Sequence, residues 1–177
     1  VRLVQHPQNR GYGDTLATGF AAATKELVFM TDGDAQFDLS EINKLLPLVE
    51  QGADMAIGYR SPRVDPPMRL LNALGWNLLI RLLFGYVARD VDCAFKLFRR
   101  AILNDVKIQS GGATFSTELL VRTRRAGYII KEVPVKHLPR TAGRATGARL
   151  SVIVRAFREL ITFYNNLRAH PQARRRA

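Results

Sequence analysis

The sequence predicts an α/β layer fold with a mostly parallel sheet flanked by helices, and three observations carry that expectation. Short apolar runs of strand length alternate with longer stretches of helical periodicity. The run Leu27-Val28-Phe29-Met30-Thr31 is apolar without interruption, as in a parallel strand covered on both faces. It ends in Asp32-Gly33-Asp34-Ala35-Gln36, a polar cluster at the edge where open α/β sheets hold their ligands. At 177 residues, 47% hydrophobic and 24% charged, the chain can bury one core without staples, and wholesale disorder is excluded. The single cysteine, Cys93, excludes an internal disulfide framework and suits a reducing compartment.

In chain order, Val1, Leu3 and His6 read as a strand already under way. Asn9 to Gly13 form a loop, and Asp14 is placed to N-cap a helix from Thr15 to about Lys25. After the apolar run, Ser40 is expected to cap a helix reaching Gln51, with Pro47 kinking or shortening it. Asp54 to Tyr59 reads as a strand, Arg60 to Pro67 as a proline-rich loop, and Met68 to Phe84 as a helix. Asp90-Val91-Asp92 leads into a strand at Ala94 to Phe98. Phe115 to Arg125 is a helix stopped by Gly127, and Tyr128 to Val135 is a strand. A Gly- and Arg-rich loop, His137 to Arg149, precedes a last helix from Leu150 to about Leu167. No apolar stretch reaches 18 residues, and Arg2, His6 and Arg10 interrupt any signal-peptide-like run, so a soluble or surface-bound protein is expected.

Charge narrows the partners. Twenty-seven Lys plus Arg against 15 Asp plus Glu give +12, which favours polyanions: nucleic acid, nucleotide phosphates or an anionic membrane. From Pro139 onward there are nine arginines, no lysine and one acid, Glu159. That excess serves either solubility or anion binding.

The Asp32-Gly33-Asp34 cluster is the strongest local signal. Two carboxylates one residue apart can present oxygens to one hard cation, and Gln36 can add a neutral oxygen. The same residues also suit an ordinary polar turn, with Asp38 capping the next helix. Gly11-Tyr12-Gly13, with Asp32 downstream, loosely imitates a dinucleotide fingerprint, but Leu16 stands where the third glycine belongs. An aspartyl-nucleophile phosphatase would want a hydroxyl residue where Gln36 stands.

Six ordered blocks then make a specific pattern: Asn9-Arg10-Gly11-Tyr12-Gly13, Asp32 to Gln36, Gly58-Tyr59-Arg60, Asp92-Cys93-Ala94-Phe95-Lys96-Leu97-Phe98, Phe115-Ser116-Thr117-Glu118, and Glu132-Val133-Pro134-Val135 followed by Arg140. In order and spacing, from residue 1 to about 150, they resemble family 2 inverting glycosyltransferases. The similar branch contains dolichol-phosphate mannosyltransferase and other polyprenyl-phosphate sugar transferases. The resemblance implies a GT-A-like fold, and the family's first two strands, which hold the nucleotide base and ribose, have no counterpart here. It implies a catalytic domain over 1–149 and an amphipathic helix with a basic tail over 150–177. A truncated relative is therefore expected.

What the resemblance implies for individual residues is specific. Asp32, Asp34 and Gln36 would hold Mg²⁺ or Mn²⁺ against the diphosphate of a nucleotide diphosphate-sugar donor, with Asn9 and Gly11 in the substrate site. Arg60 and Arg69 would bind the acceptor phosphate, and Arg140 and Arg144 would clamp diphosphate or acceptor phosphate. Asp34, Asp92 and Glu118 are the catalytic candidates, the last two as general bases if the acceptor is a sugar hydroxyl. A polyprenyl phosphate acceptor needs no base, since a phosphate monoester is already largely ionised near pH 7.

The last helix repeats Leu150, Ile153, Val154, Phe157, Leu160, Ile161, Tyr164 and Leu167 on one face, with Arg155 and Arg158 elsewhere. Such a helix lies on an anionic bilayer or packs on its own sheet. The expected location is the cytoplasm, peripheral to the cytoplasmic face of a membrane. The alternatives are a glycosyltransferase acting on a saccharide hydroxyl, a basic nucleic-acid-binding module, and an inactive fragment. Aromatics at 8%, with Tyr12, Phe29, Phe37 and Phe98 in core-like or site-like positions, argue against a stacking platform and hence against nucleic acid.

Overall fold

A computed structural model describes residues 2–139 and 150–170. The element order is α1 (Tyr12–Ala22), β1 (Leu27–Met30), a 3₁₀ turn (Leu39–Lys44), α2 (Leu46–Glu50), β2 (Met55–Arg60), α3 (Pro67–Phe84), β3 (Lys96–Arg99), α4 (Ile102–Asp105), α5 (Phe115–Arg125), β4 (Ile130–Val135) and α6 (Leu150–Ala169). The four strands form one sheet in the order β1-β3-β2-β4.

The sheet is mixed, which corrects the expectation of a mostly parallel one. Only β2 and β4 pair parallel, with Met55 opposite Ile130 and Arg60 opposite Val135. β3 runs antiparallel to both β1 and β2. The reason lies in the link between α3 and β3. Asp90 is hydrogen-bonded to Arg60 at the end of β2, so the chain has already returned to that edge before β3 starts. β3 must then run the other way. Counting alternating elements assumed a crossover that this return cancels.

Residues 2–6 form no strand, contrary to the reading of Val1 to His6. The helix expected from Ser40 to Gln51 is broken in two. Pro47 occupies the first turn of α2, where its missing N–H costs nothing, so the chain before it tightens into a 3₁₀ turn. The cap is Asp38, whose Oδ1 accepts from the Ser40 N–H at 2.9 Å and the Ser40 hydroxyl at 2.7 Å. Asp14 does not cap α1 either; Gly11 holds that position, and Asp14 pairs with Arg10 at 3.4 Å. Gly127, at φ 87°, ends the α5 segment as expected, its N–H bonding to the Arg124 carbonyl at 3.0 Å.

Strand alternation divides the core between two faces. Val28, Met30, Met55, Ile57 and Phe98 pack under α1, α3, α5 and α6 with Phe20, Ile80, Leu119, Leu160 and Phe163. Ala56, Phe95, Leu97 and Val135 pack on the other face against Leu45 and Val49 of the α2 region. α6 joins the first layer: Ala156, Leu160, Phe163 and Leu167 are buried, Phe163 stacks on Phe84, and Trp76 meets Phe157 edge-on. Of the two roles open to that helix, packing on its own domain claims this face. Val154, Phe157 and Ile161 stay exposed.

α1 is seated by a close backbone contact. The Gly13 N–H donates to the Gly111 carbonyl at 2.9 Å, and a Cβ on Gly13 would lie 2.5 Å from the Gly111 carbonyl carbon. The glycine at position 13 is thereby explained by packing, without a dinucleotide.

Candidate active site

β1, β2 and β4 all run in one direction, so their C-terminal ends share an edge with the start of β3. That edge gathers Asp32 and Asp34 after β1, Arg60 at the end of β2, Asp90 and Asp92 before β3, and His137 after β4. Tyr12, in the first turn of α1, reaches Asp32 with its hydroxyl donating to Oδ1 at 3.4 Å.

The electrostatics separate these groups. Burial first, and then the charge of Asp34, push the Asp32 carboxyl above its ordinary range. Two carboxylates crowding each other in a partly desolvated loop favour a bound cation. Burial and the Asp32 charge likewise push the Tyr12 phenol upward, so it stays a donor at neutral pH. Asp92 is solvent-exposed, yet densely surrounded by protein atoms. That desolvation, followed by the charge of Asp90, raises its pKa. Asp90 behaves oppositely. Although burial opposes its charge, the hydrogen bonds and charge of Arg60 outweigh it and hold the carboxyl below its ordinary value.

Arg60 is engaged internally. Its Nε and Nη2 grip Asp90 at 2.6 and 2.7 Å, and both side chains are only 7% exposed. The fork expected to meet an acceptor phosphate is thus closed on a carboxylate. Arg63 bonds Asp65 at 2.8 Å and lies 3.5 Å from Asp90, while Arg69, 40% exposed, reaches Asp65 at 3.0 Å. Of the predicted phosphate contacts on described residues, Arg69 is therefore the open one. Arg140 and Arg144 lie outside the described residues.

Glu118 is engaged inside the protein as well. It is 1% exposed and accepts from the Gln109 and Ser110 N–H groups at 3.1 and 2.8 Å and from Arg122 Nε at 2.7 Å. A carboxylate so surrounded pins the 109–110 segment and cannot meet an acceptor hydroxyl, which corrects its assignment as a base. Asn9 accepts the Gly11 N–H on Oδ1 at 2.9 Å, shaping the turn that opens α1. Gln36 is buried. Its amide nitrogen donates to the Leu138 carbonyl at 3.2 Å and lies 3.3 Å from His137 Nε2, and the Leu138 N–H returns a bond to the Gln36 carbonyl at 2.9 Å. Gln36 therefore ties the aspartate loop to the chain leaving β4.

Among the described residues no three His, Cys, Asp or Glu side chains converge as a metal cage. Two carboxylates still fit Mg²⁺ or Mn²⁺, which take few protein ligands and complete their shell with phosphate oxygens and water. The crowding of Asp32 by Asp34 supports that fit. Sequence reasoning left Tyr12 without a defined site role and gave none to Asp90 or Lys96. A lysine inside the apolar string Ala94 to Phe98 was the available signal for the last.

Over residues 1–107 the chain matches the family described as Glycosyl transferase family 2, and it belongs to that family. It is similar to a dolichyl-phosphate hexose transferase of Haloferax volcanii, 31% identical over 141 residues that make up 78% of this chain and 60% of that protein. It is similar also to a polyprenol monophosphomannose synthase of Mycolicibacterium smegmatis, 27% identical over 81% of this chain and 58% of the relative. The chain thus spans about three-fifths of the length of these curated relatives. In fold it resembles glucosyl-3-phosphoglycerate synthase from Mycobacterium tuberculosis, with a TM-score of 0.71 at 17% identity over 90% of this chain and 57% of that one. That enzyme has been crystallised with Mg²⁺ and uridine-diphosphate, and with Mn²⁺, uridine-diphosphate-glucose and phosphoglyceric acid.

Proposed function

We propose that the protein transfers a hexose from a nucleotide diphosphate-sugar to a polyprenyl phosphate, with inversion at the anomeric carbon. The observation that carries the donor half is the Asp32–Asp34 pair at the C-terminal end of β1, where burial and then the charge of Asp34 make an ionised Asp32 costly. A divalent cation, when bound there, would stabilise the charge that grows on the leaving diphosphate. Asp32 and Asp34 would hold it, the Tyr12 hydroxyl keeps Asp32 oriented, and Asp92, in the turn that leads to β3, lies at the same edge of the sheet. An acceptor phosphate oxygen attacks the anomeric carbon as the bond to the diphosphate breaks. No proton has to move, because the phosphate is already ionised.

α3 supports the lipid half. Met68, Leu71, Leu74, Leu78 and Leu82 on its outer side are 55–75% exposed, on the helix that also carries Arg69 of the Arg63–Asp65–Arg69 cluster. Exposed apolar side chains of that density suit an acyl surface, and exposed Arg81, Arg155 and Arg158 on α3 and α6 suit anionic headgroups. On this reading the protein lies on the cytoplasmic face of a membrane. No helix among the described residues is long and apolar enough to cross one.

A second reading is transfer to a hydroxyl acceptor. Asp92, exposed and with a raised pKa, favours it as the general base. The test is thermal stability against UDP, GDP and their sugars, with and without Mn²⁺, on the wild type and Asp34→Ala. A metal-dependent rise in Tm with one nucleotide, lost in the variant, is expected. Transfer assays on polyprenyl phosphate and on a free saccharide then separate the acceptors. No nucleotide-dependent shift in a cooperatively folded protein would overturn a donor site in this chain.

A further inference from the structure

We propose that Lys96 is a positioning residue whose ammonium clamps the backbone on both sides of Asp92 and so fixes that carboxylate in the crevice. This rests on the transfer reading above. Lys96 Nζ donates to the Val91 carbonyl at 3.3 Å and to the Cys93 carbonyl, the two residues that flank Asp92. Lys96 is completely buried in the strand between β1 and β2, opposite Met30 on one side and Ile57 on the other. Val91 and Cys93 are buried too, while Asp92 between them is exposed.

An apolar side chain would suit that strand position better, since an ammonium taken from water is costly unless it is held. Burial does pull its pKa down, against the nearby Cys93, Asp92, Asp90 and Asp32. The chain therefore carries a polar amine in its sheet for which packing gives no reason, and the backbone turn supplies one. The other anchors of the turn hold N–H groups: the Val91 N–H donates to Asn77 Oδ1 at 3.1 Å, and the Cys93 N–H to the Asp90 carbonyl at 3.2 Å. Lys96 holds the carbonyls that those bonds leave. With both sets made, the Asp92 Cα has one orientation, and its charge is felt at the Tyr12 phenol beside Asp32.

The test compares wild type, Lys96→Met, Lys96→Gln, Asp92→Asn and the double variant Lys96→Met/Asp92→Asn. Hydrogen exchange in the turn, Mn²⁺-dependent nucleotide binding and transfer kinetics are measured on each. In Lys96→Met the Val91 and Cys93 amides are expected to exchange about tenfold faster while the rest of the sheet keeps its protection. Its donor affinity and donor KM should match wild type, with kcat down about 30-fold, because the misplaced group is Asp92. The double variant should be no slower than Asp92→Asn, since Lys96 acts through that side chain.

Lys96→Gln, which keeps an N–H₂ donor, should recover part of the turn's protection. Unchanged exchange in Lys96→Met, or a double variant slowed by the product of the single losses, would overturn the proposal. Failure of both Lys96 variants to fold would overturn it as well, making the lysine a support of the whole sheet. If the wild type neither binds nucleotide nor transfers sugar, the transfer reading fails, and the exchange measurement still decides the clamp.

Discussion

Glu118 and Asp92 are acidic side chains in two regions of one molecule, and their surroundings give them different work. Around Glu118 the chain supplies a complete set of donors: two backbone N–H groups and a guanidinium, all inside the protein. Around Asp92 it supplies a dense surround of protein atoms, a neighbouring carboxylate and access to solvent. A carboxylate whose lone pairs are filled by the protein holds structure together. One left open beside like charge retains the capacity to meet a ligand. Asp90 makes the contrast sharper still, since two residues from Asp92 it is engaged by Arg60 and approached by Arg63.

The largest effect that tests this contrast is on stability. Glu118→Ala should cost about 3–5 kcal/mol by urea unfolding, because it removes the buried carboxylate that accepts from two N–H groups and from Arg122. Asp92→Asn should lose transfer without destabilising the protein at neutral pH. Equal destabilisation by the two would erase the distinction.

Next comes Gly13→Ala, which drives a methyl into the Gly111 backbone beside the segment Glu118 pins. A loss of about 1–3 kcal/mol is expected in the same measurement.

A smaller effect is the pH dependence of Tm. Asp90 has a lowered pKa, so the stability it contributes is complete above the ordinary carboxylate value of 3.8 and is lost as pH falls through its folded value. Asp32 and Asp92 have raised values, so their contribution is complete below 3.8 and is lost as pH rises through the folded pKa. Asp90→Asn should therefore lower Tm at neutral pH and flatten the acid limb. Asp92→Asn should remove part of the decline between pH 4 and neutrality, and an unchanged profile in both variants would contradict the assignment. The smallest stability effect belongs to the outer side of α3. Leu74→Ser should change stability by under about 0.5 kcal/mol yet weaken co-sedimentation with phosphatidylglycerol vesicles severalfold.

Most elements were legible, and the reasons are local. Leu27 to Met30 is an unbroken apolar run, Phe115 to Arg125 has helical periodicity with Gly127 at its end, and both stand where the pattern put them. Strand direction was not legible, because it depends on the Asp90–Arg60 bond that returns the chain to the β2 end before β3 begins. The aspartate cluster could be found from its place after a strand. Arg60 could not be told from an open phosphate contact, since an arginine's partner is a tertiary fact. The same holds for Glu118, whose helix position gives no hint of the N–H groups of 109 and 110 above it.

The sheet order has a consequence for how the chain reaches its native state. β1 and β2 are made early in the sequence but never touch as a pair; β3, from much later, has to slide between them. Until it does, both strands present open edges, and pairings this distant in sequence form slowly. The late strand is also the one that carries the buried ammonium. Closing the sheet and setting the turn at Asp92 are therefore a single event, and a chain stalled before that insertion would be both adhesive and without its crevice.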